Sequence, residues 1–198
     1  INSLDTAKVY GSSEELIGDY LKKRPGFLWD IFTKLSNSNL SVYDQIKDSA
    51  EKLATSPAMV LAHSADLFLD DKFQTELSVA IVEGIVPKVG VSLYDKNEIY
   101  RVLDSPFKPN VIQLPMNILD TQLYRNGVIT KIYNEGIEIH VRSAFLQGLL
   151  YLSEVDLQTS FSDAIPYINK LKSISAMAGL TLAELSLLWL IRLEEVNK

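Results

Sequence analysis

Cysteine is absent from the 198 residues. No disulfide framework and no thiolate metal site can be built without it. Only two histidines are present, which excludes a His-rich metal centre and leaves carboxylates as the remaining metal-binding chemistry. Long apolar runs are missing too. None approaches the ~20 residues that a membrane span needs, and no signal-peptide pattern opens the chain. Basic charge is in deficit: 19 Lys and Arg against 25 Asp and Glu give a net charge of −6. With no Lys/Arg-rich stretch, the chain lacks the electrostatic footprint of a general nucleic-acid surface. These absences point to a cytoplasmic protein with neither membrane nor nucleic acid as partner. An initiating Met is also lacking. Ile1 to Leu4 already read as a strand, and Glu195 to Lys198 head towards another, so the sequence reads as the interior of a longer chain.

What is present is ordinary for a folded domain: 47% hydrophobic and 22% charged residues, enough to bury one substantial core. Short apolar runs recur at Ile1–Leu4, Leu28–Phe32, Met59–Ala62, Val89–Val91, Val111–Leu114 and Ile137–Val141. Their centres lie about 23 to 30 residues apart, the length of one strand-plus-helix unit. Helical patterns fill the gaps. Ser12-x-x-Glu15, Asp95-x-x-Glu98 and Thr181-x-x-Glu184 read as capping boxes. Ser41 opens another helix, and further ones are expected over 123–135, ended by Gly136, and from about 163 to 178, ended by Gly179. Strands alternating with helices mean a parallel sheet with helices outside. A doubly wound sheet and a (β/α)₈ barrel both accommodate six strands. Residues 1–198 read as one domain.

Chemistry gathers at strand ends, where parallel α/β folds place their sites. Asp5 ends the first run, Lys34 follows the second and His63 follows the third. Tyr10 lies in the loop after the first. Taken singly, each is more often a loop or packing residue than a catalyst. Recurring at three successive strand ends, an acid, an amine and an imidazole together with a phenol suggest one active site.

The residues Leu4-Asp5-Thr6-Ala7-Lys8-Val9-Tyr10-Gly11, followed by a Glu-containing helix start, resemble the signature of the aldo-keto reductase family. Phe32-Thr33-Lys34 is similar to that family's Thr-Lys, Leu61-Ala62-His63 to its His strand, and Gly90-Val91-Ser92 and Val111-Ile112-Gln113 to two cofactor segments. Arg142-Ser143-Ala144-Phe145-Leu146-Gln147-Gly148-Leu149-Leu150 resembles a bacterial variant of the loop that wraps the pyrophosphate. The resemblance implies a TIM (β/α)₈ barrel, incomplete here because the first and eighth strands are not in the sequence. It implies an NADPH-dependent oxidoreductase that reduces an aldehyde or ketone to an alcohol by hydride transfer, without a metal.

In that reading Tyr10 is the general acid. A free phenol has a pKa of about 10, and Lys34 beside it favours the phenolate. Asp5 holds Lys34, and His63 orients the carbonyl oxygen. Ser92 and Gln113 bind the nicotinamide carboxamide. Arg142 takes the place of the usual aromatic ring under the nicotinamide, since a guanidinium also stacks on rings. Ser143, Phe145, Gln147 and Gly148 wrap the phosphates. Leu93 stands where the family has Asn, removing one carboxamide contact. The partner is a small-molecule carbonyl substrate, with self-association through open barrel edges as a further expectation. The alternative reading is a weakly catalytic or regulatory cofactor-binding module, or an inactive truncated copy, on the same barrel.

Overall fold

The computed structural model describes residues 2–24, 26 and 29–198. Ile1 and Leu28, expected to open the first two strands, lie outside the described residues. The chain forms two compact units, Ile1–Gln113 and Leu114–Lys198.

The first unit alternates strand and helix: β1 Ser3–Asp5, α1 Ser13–Lys23, β2 Asp30–Leu35, α2 Val42–Leu53, β3 Met59–Ala62, α3 Ala65–Phe68, α4 Asp71–Val82, β4 Val89–Ser92, α5 Lys96–Asp104 and β5 Val111–Pro115. β5 runs two residues into the second unit. There follow α6 Gln122–Arg125, α7 Val128–Asn134, β6 Glu138–Arg142, α8 Glu154–Ser160, α9 Ile165–Met177 and α10 Leu182–Ile191. All six expected strands form, and their order in the sheet is their order in the sequence. Neighbours pair in parallel, with Asp5 opposite Phe32, Lys34 opposite Leu61, Ala62 opposite Val91, and Ser92 opposite Gln113. β3 and β4 are buried at every position, as parallel strands covered on both faces must be.

Alternation along these strands decides which side chains share a face. Phe32, Met59, Leu61 and Val111 form one buried cluster. Two residues further along each strand stand Lys34, His63 and Gln113. Gly90 belongs to the same layer: a Cβ there would meet the Val111 carbonyl at 2.6 Å. Only glycine tolerates that approach, and two residues on is Ser92. An apolar floor thus carries a polar layer above it.

The sheet of the first unit is curled. β1 and β5 are four places apart, which in a flat sheet of ~4.8 Å spacing is about 19 Å. Yet Gln113 Nε2 donates to Asp5 Oδ1 over 2.9 Å. A chord that short requires a barrel wall.

Several helix starts follow the capping signals. Ser41 and Asp95 accept backbone N–H bonds at the starts of α2 and α5, and Asp70, not singled out in the sequence, does so at α4. Thr181 and Glu184 complete a reciprocal box at α10. Ser12 does not form the expected box. Its ψ of 17° is outside the extended region that aims a cap hydroxyl at the helix, and no side-chain cap bond is made. Glu98 bonds the Tyr94 N–H instead of that of Asp95. The helix expected over 123–135 is broken into α6 and α7 at Gly127, whose φ of 73° interrupts it. Short α3 and α8, and a 3₁₀ turn at Leu146–Tyr151, carry no capping-box signal and were not expected.

The second unit has its own core of Leu150, Leu157, Ile168 and Leu171. Asn197 and Lys198 run beside β6: the Val141 N–H donates to the Lys198 carbonyl at 2.7 Å, and the Asn197 N–H to the Ile139 carbonyl at 2.9 Å. The residues expected to lead into a strand, 195–198, bond to β6 but do not themselves form a strand. Among the described residues, no single helix is long and apolar enough to cross a membrane.

Candidate active site

Lys34 is the centre of the first unit's polar layer. Its side chain is 2% exposed, and its ammonium donates to Asp5 Oδ2 at 2.6 Å and to the Thr6 carbonyl at 3.0 Å. A buried charge demands such partners. Asp5 is more open, 40% exposed, and shares its other oxygen with Gln113. One carboxylate therefore joins Lys34 on β2 to Gln113 on β5.

Tyr10 lies against this pair. Lys34 Nζ is 5.3 Å from the centre of its ring. The His63 ring meets Tyr10 edge to face with centroids 6.3 Å apart. Tyr10 itself is half exposed, so the phenol is reachable from solvent while the ammonium beneath it is not. The loop that carries it is pinned to β2 by the Thr6 N–H to the Phe32 carbonyl at 2.8 Å and the Lys8 N–H to the Lys34 carbonyl at 3.3 Å. Asp5, Tyr10, Lys34 and His63 are thus brought together.

Ser92 and Gln113 are both 4% exposed and directly paired across β4 and β5. Gln113 Oε1 is buried and has no hydrogen-bond partner among the described residues. A buried acceptor without a donor is costly, and here it belongs to the same amide that holds Asp5.

Arg142, Ser143, Phe145, Gln147 and Gly148 belong to the second unit. Arg142 ends β6, and its carbonyl accepts the Met116 N–H at 3.2 Å. Beyond it the backbone turns sharply. Ser143, Leu146, Gln147 and Gly148 all have positive φ, of 63°, 50°, 54° and 94°. The left-handed region costs about 1–2 kcal/mol for each non-glycine residue. Such strain collects where a backbone must present its amides in a set way. Phe145 packs edge-on to Tyr151 at 5.7 Å between centroids.

Two further contacts were not legible in the sequence. Glu14, 2% exposed, accepts from Thr33 Oγ1 at 2.6 Å and ties α1 to β2 one residue before Lys34. Lys8 reaches α2, where it pairs with Asp48 and donates to the Gln45 carbonyl. Partners 37 and 40 residues away leave no local pattern to read.

The family model for the aldo/keto reductase family matches residues 1–197. The chain belongs to the aldo/keto reductase family. None of the curated proteins matches it by sequence. Solved structures of the family share its fold. An aldo/keto reductase from Klebsiella pneumoniae, in complex with NADP and acetate, superposes with a TM-score of 0.71 at 16% identity, over 97% of this chain and 66% of that one. Another from the same organism, in complex with NADPH, gives 0.73 at 16% identity, over 99% and 68%. A glycerol dehydrogenase from Gluconobacter oxydans gives 0.75 at 18% identity, over 99% and 70%. The chain therefore spans about two thirds of the length of these family members. Six parallel strands in sequence order, with intervening helices, are the corresponding part of a TIM barrel.

Proposed function

We propose that this chain carries the reaction centre of an NADPH-dependent carbonyl reductase, reducing an aldehyde or ketone to an alcohol with Tyr10 as the general acid. The observation that carries the reading is the buried Lys34 ammonium, held by Asp5 at 2.6 Å and placed 5.3 Å from the Tyr10 ring. A positive charge there favours phenolate over phenol and so eases release of the phenolic proton. Tyr10 donates that proton to the carbonyl oxygen. Asp5 keeps Lys34 charged and in place. His63, edge-on to Tyr10, orients the same oxygen.

The residues present suit a nicotinamide. Gln113 Oε1, which has no hydrogen-bond partner among the described residues, is an acceptor that a carboxamide NH₂ would satisfy. Ser92 beside it supplies a hydroxyl. A bound nicotinamide supplies the hydride, and the protein supplies binding, orientation and charge. The family resemblance assigns phosphate contacts to Ser143, Phe145, Gln147 and Gly148, of which Ser143, Gln147 and Gly148 have positive φ. Support for the NADP form comes from family members solved with NADP and NADPH.

The test is Tyr10→Phe. It removes the dissociable proton and leaves the ring contacts. Turnover of an aromatic aldehyde should fall by three orders of magnitude or more, while NADPH affinity, followed by nicotinamide fluorescence, stays within about twofold of wild type. Turnover that survives the substitution rejects Tyr10 as the acid. Saturable NADPH binding without any wild-type turnover would favour a binding module over an enzyme.

A further inference from the structure

The segment from Asp5 to Ser12 carries Tyr10, yet little of it is packed. Thr6 and Ala7 are buried, but Val9 and Tyr10 are 55% and 50% exposed. Gly11, at φ +59°, has open space where a Cβ would stand. A segment with few buried contacts opens readily. A proton donor, by contrast, must be held to within about 0.5 Å of its productive place.

Lys8 is the residue that reconciles the two. Its N–H donates to the Lys34 carbonyl on β2 at 3.3 Å. Its side chain crosses to α2 and is only 13% exposed, far less than a solvated lysine. There the ammonium meets the Asp48 carboxylate and the Gln45 carbonyl, the latter at 3.4 Å. Asp48 is in turn bonded by Lys52 at 3.1 Å. Lys8 thus spans the Tyr10 loop, the strand of Lys34 and the helix that follows that strand.

We propose that Lys8 is a positioning residue whose ion pair with Asp48 clamps the Tyr10 loop onto α2 and so fixes the phenol against Lys34. The inference rests on Tyr10 being the acid. Lys8 touches neither substrate nor cofactor and acts through the loop. Its four-carbon stem gives the reach, and its charge gives the hold. The surroundings agree: the bond from Lys8 is the largest influence holding the Asp48 carboxyl below its ordinary pKa, opposed by desolvation and aided by Lys52.

Lys8→Met keeps the stem and deletes the charge, and Lys8→Arg keeps both. Two measurements on the 198-residue protein separate the clamp from the reading it rests on. The first is kcat, KM and NADPH affinity with an aromatic aldehyde. The second is fluorine NMR of fluorotyrosine-labelled protein, with the Tyr10 resonance assigned by its loss in Tyr10→Phe. For Lys8→Met we expect kcat at least tenfold lower, NADPH affinity within twofold of wild type, and a shifted or broadened Tyr10 resonance. Lys8→Arg should restore kcat and resonance together. A Tyr10 resonance unmoved by Lys8→Met overturns the clamp, whatever the turnover. A moved resonance with wild-type kcat per folded molecule overturns the positioning role. A protein whose turnover survives Tyr10→Phe overturns the acid assignment instead, and the resonance still decides the clamp.

Discussion

Asp5 and Lys34 form one ion pair, but losing either partner should not cost the same. Lys34 is buried to 2% and Asp5 is 40% exposed. Asp5→Asn keeps the ammonium buried and its bond to the Thr6 carbonyl at 3.0 Å, but replaces the carboxylate with a neutral amide. Breaking a buried pair from one side typically costs about 3–5 kcal/mol. Water already reaching Asp5 and the retained Thr6 bond place this case at the low end, about 3 kcal/mol, or roughly a hundredfold in the unfolding equilibrium. Lys34→Met leaves the opposite remainder. Asp5 stays hydrated and keeps the Gln113 donor at 2.9 Å, and an apolar stem replaces a desolvated charge. That change should fall within about 1 kcal/mol of neutral.

The pH dependence carries a sign. In Asp5→Asn the buried ammonium loses the Asp5 charge, so its folded pKa falls below that of the wild-type folded state. Between those two values the wild-type folded state binds more protons than the folded variant, so the variant gains stability relative to wild type as pH rises. The deficit of Asp5→Asn relative to wild type should therefore shrink from pH 7 towards pH 10. Urea unfolding followed by circular dichroism at several pH values reads both effects. Equal losses for the two variants, or a deficit that grows with pH, would refute the reasoning. Both variants should lose turnover, so activity alone cannot distinguish them.

Other consequences concern the helices around the site. A Cβ on Gly18 would lie 2.0 Å from the Lys52 carbonyl of α2, so Gly18→Ala should lower the urea midpoint by the equivalent of about 1–3 kcal/mol despite the better helix propensity of alanine. An unchanged midpoint would show that α1 and α2 can separate without loss. Asp48 is held below its ordinary pKa chiefly by the Lys8 hydrogen bond. Its contribution is complete above the unfolded value of about 3.9 and is lost as pH falls through the folded one. Asp48→Asn should flatten that part of the acid unfolding curve, by less than about 1 kcal/mol because the carboxylate is 38% exposed. An acid limb identical to wild type would remove Asp48 from the clamp's energetics.

Much of the fold was legible because the core of each strand is a short apolar run and period-2 alternation is strict. Phe32 and Lys34, or Leu61 and His63, share a face by arithmetic alone. Helix boundaries were less legible. Ser12 has the right identity for a cap but lies at ψ 17°, a backbone state set by the tight turns through Tyr10 and Gly11. The break at Gly127 is likewise a matter of φ. Single glycines inside a helical pattern are commonly tolerated, and sequence does not say which one will take the left-handed state. The same limit hid Leu146 and Gln147, which adopt positive φ without being glycine.

The grouping of the site follows from the chord between β1 and β5. Local sequence places Asp5, Lys34, His63, Ser92 and Gln113 near successive strand ends, but nothing local says that the first and last of them meet. That requires the wall to curl, and curl comes from strand twist and from side chains small enough on the inner face. Gly90, where an added Cβ would lie only 2.6 Å from the Val111 carbonyl, is one such small position. Because the wall curls, Asp5 accepts from Lys34 on one oxygen and Gln113 on the other. The group that holds the ammonium in place also aligns the amide whose buried oxygen has no hydrogen-bond partner among the described residues. In the proposed reaction, proton donor and cofactor contact are therefore set by one carboxylate. A shift of β5 against β1 would disturb both at once, which neither Lys34 nor Gln113 considered alone would lead one to expect.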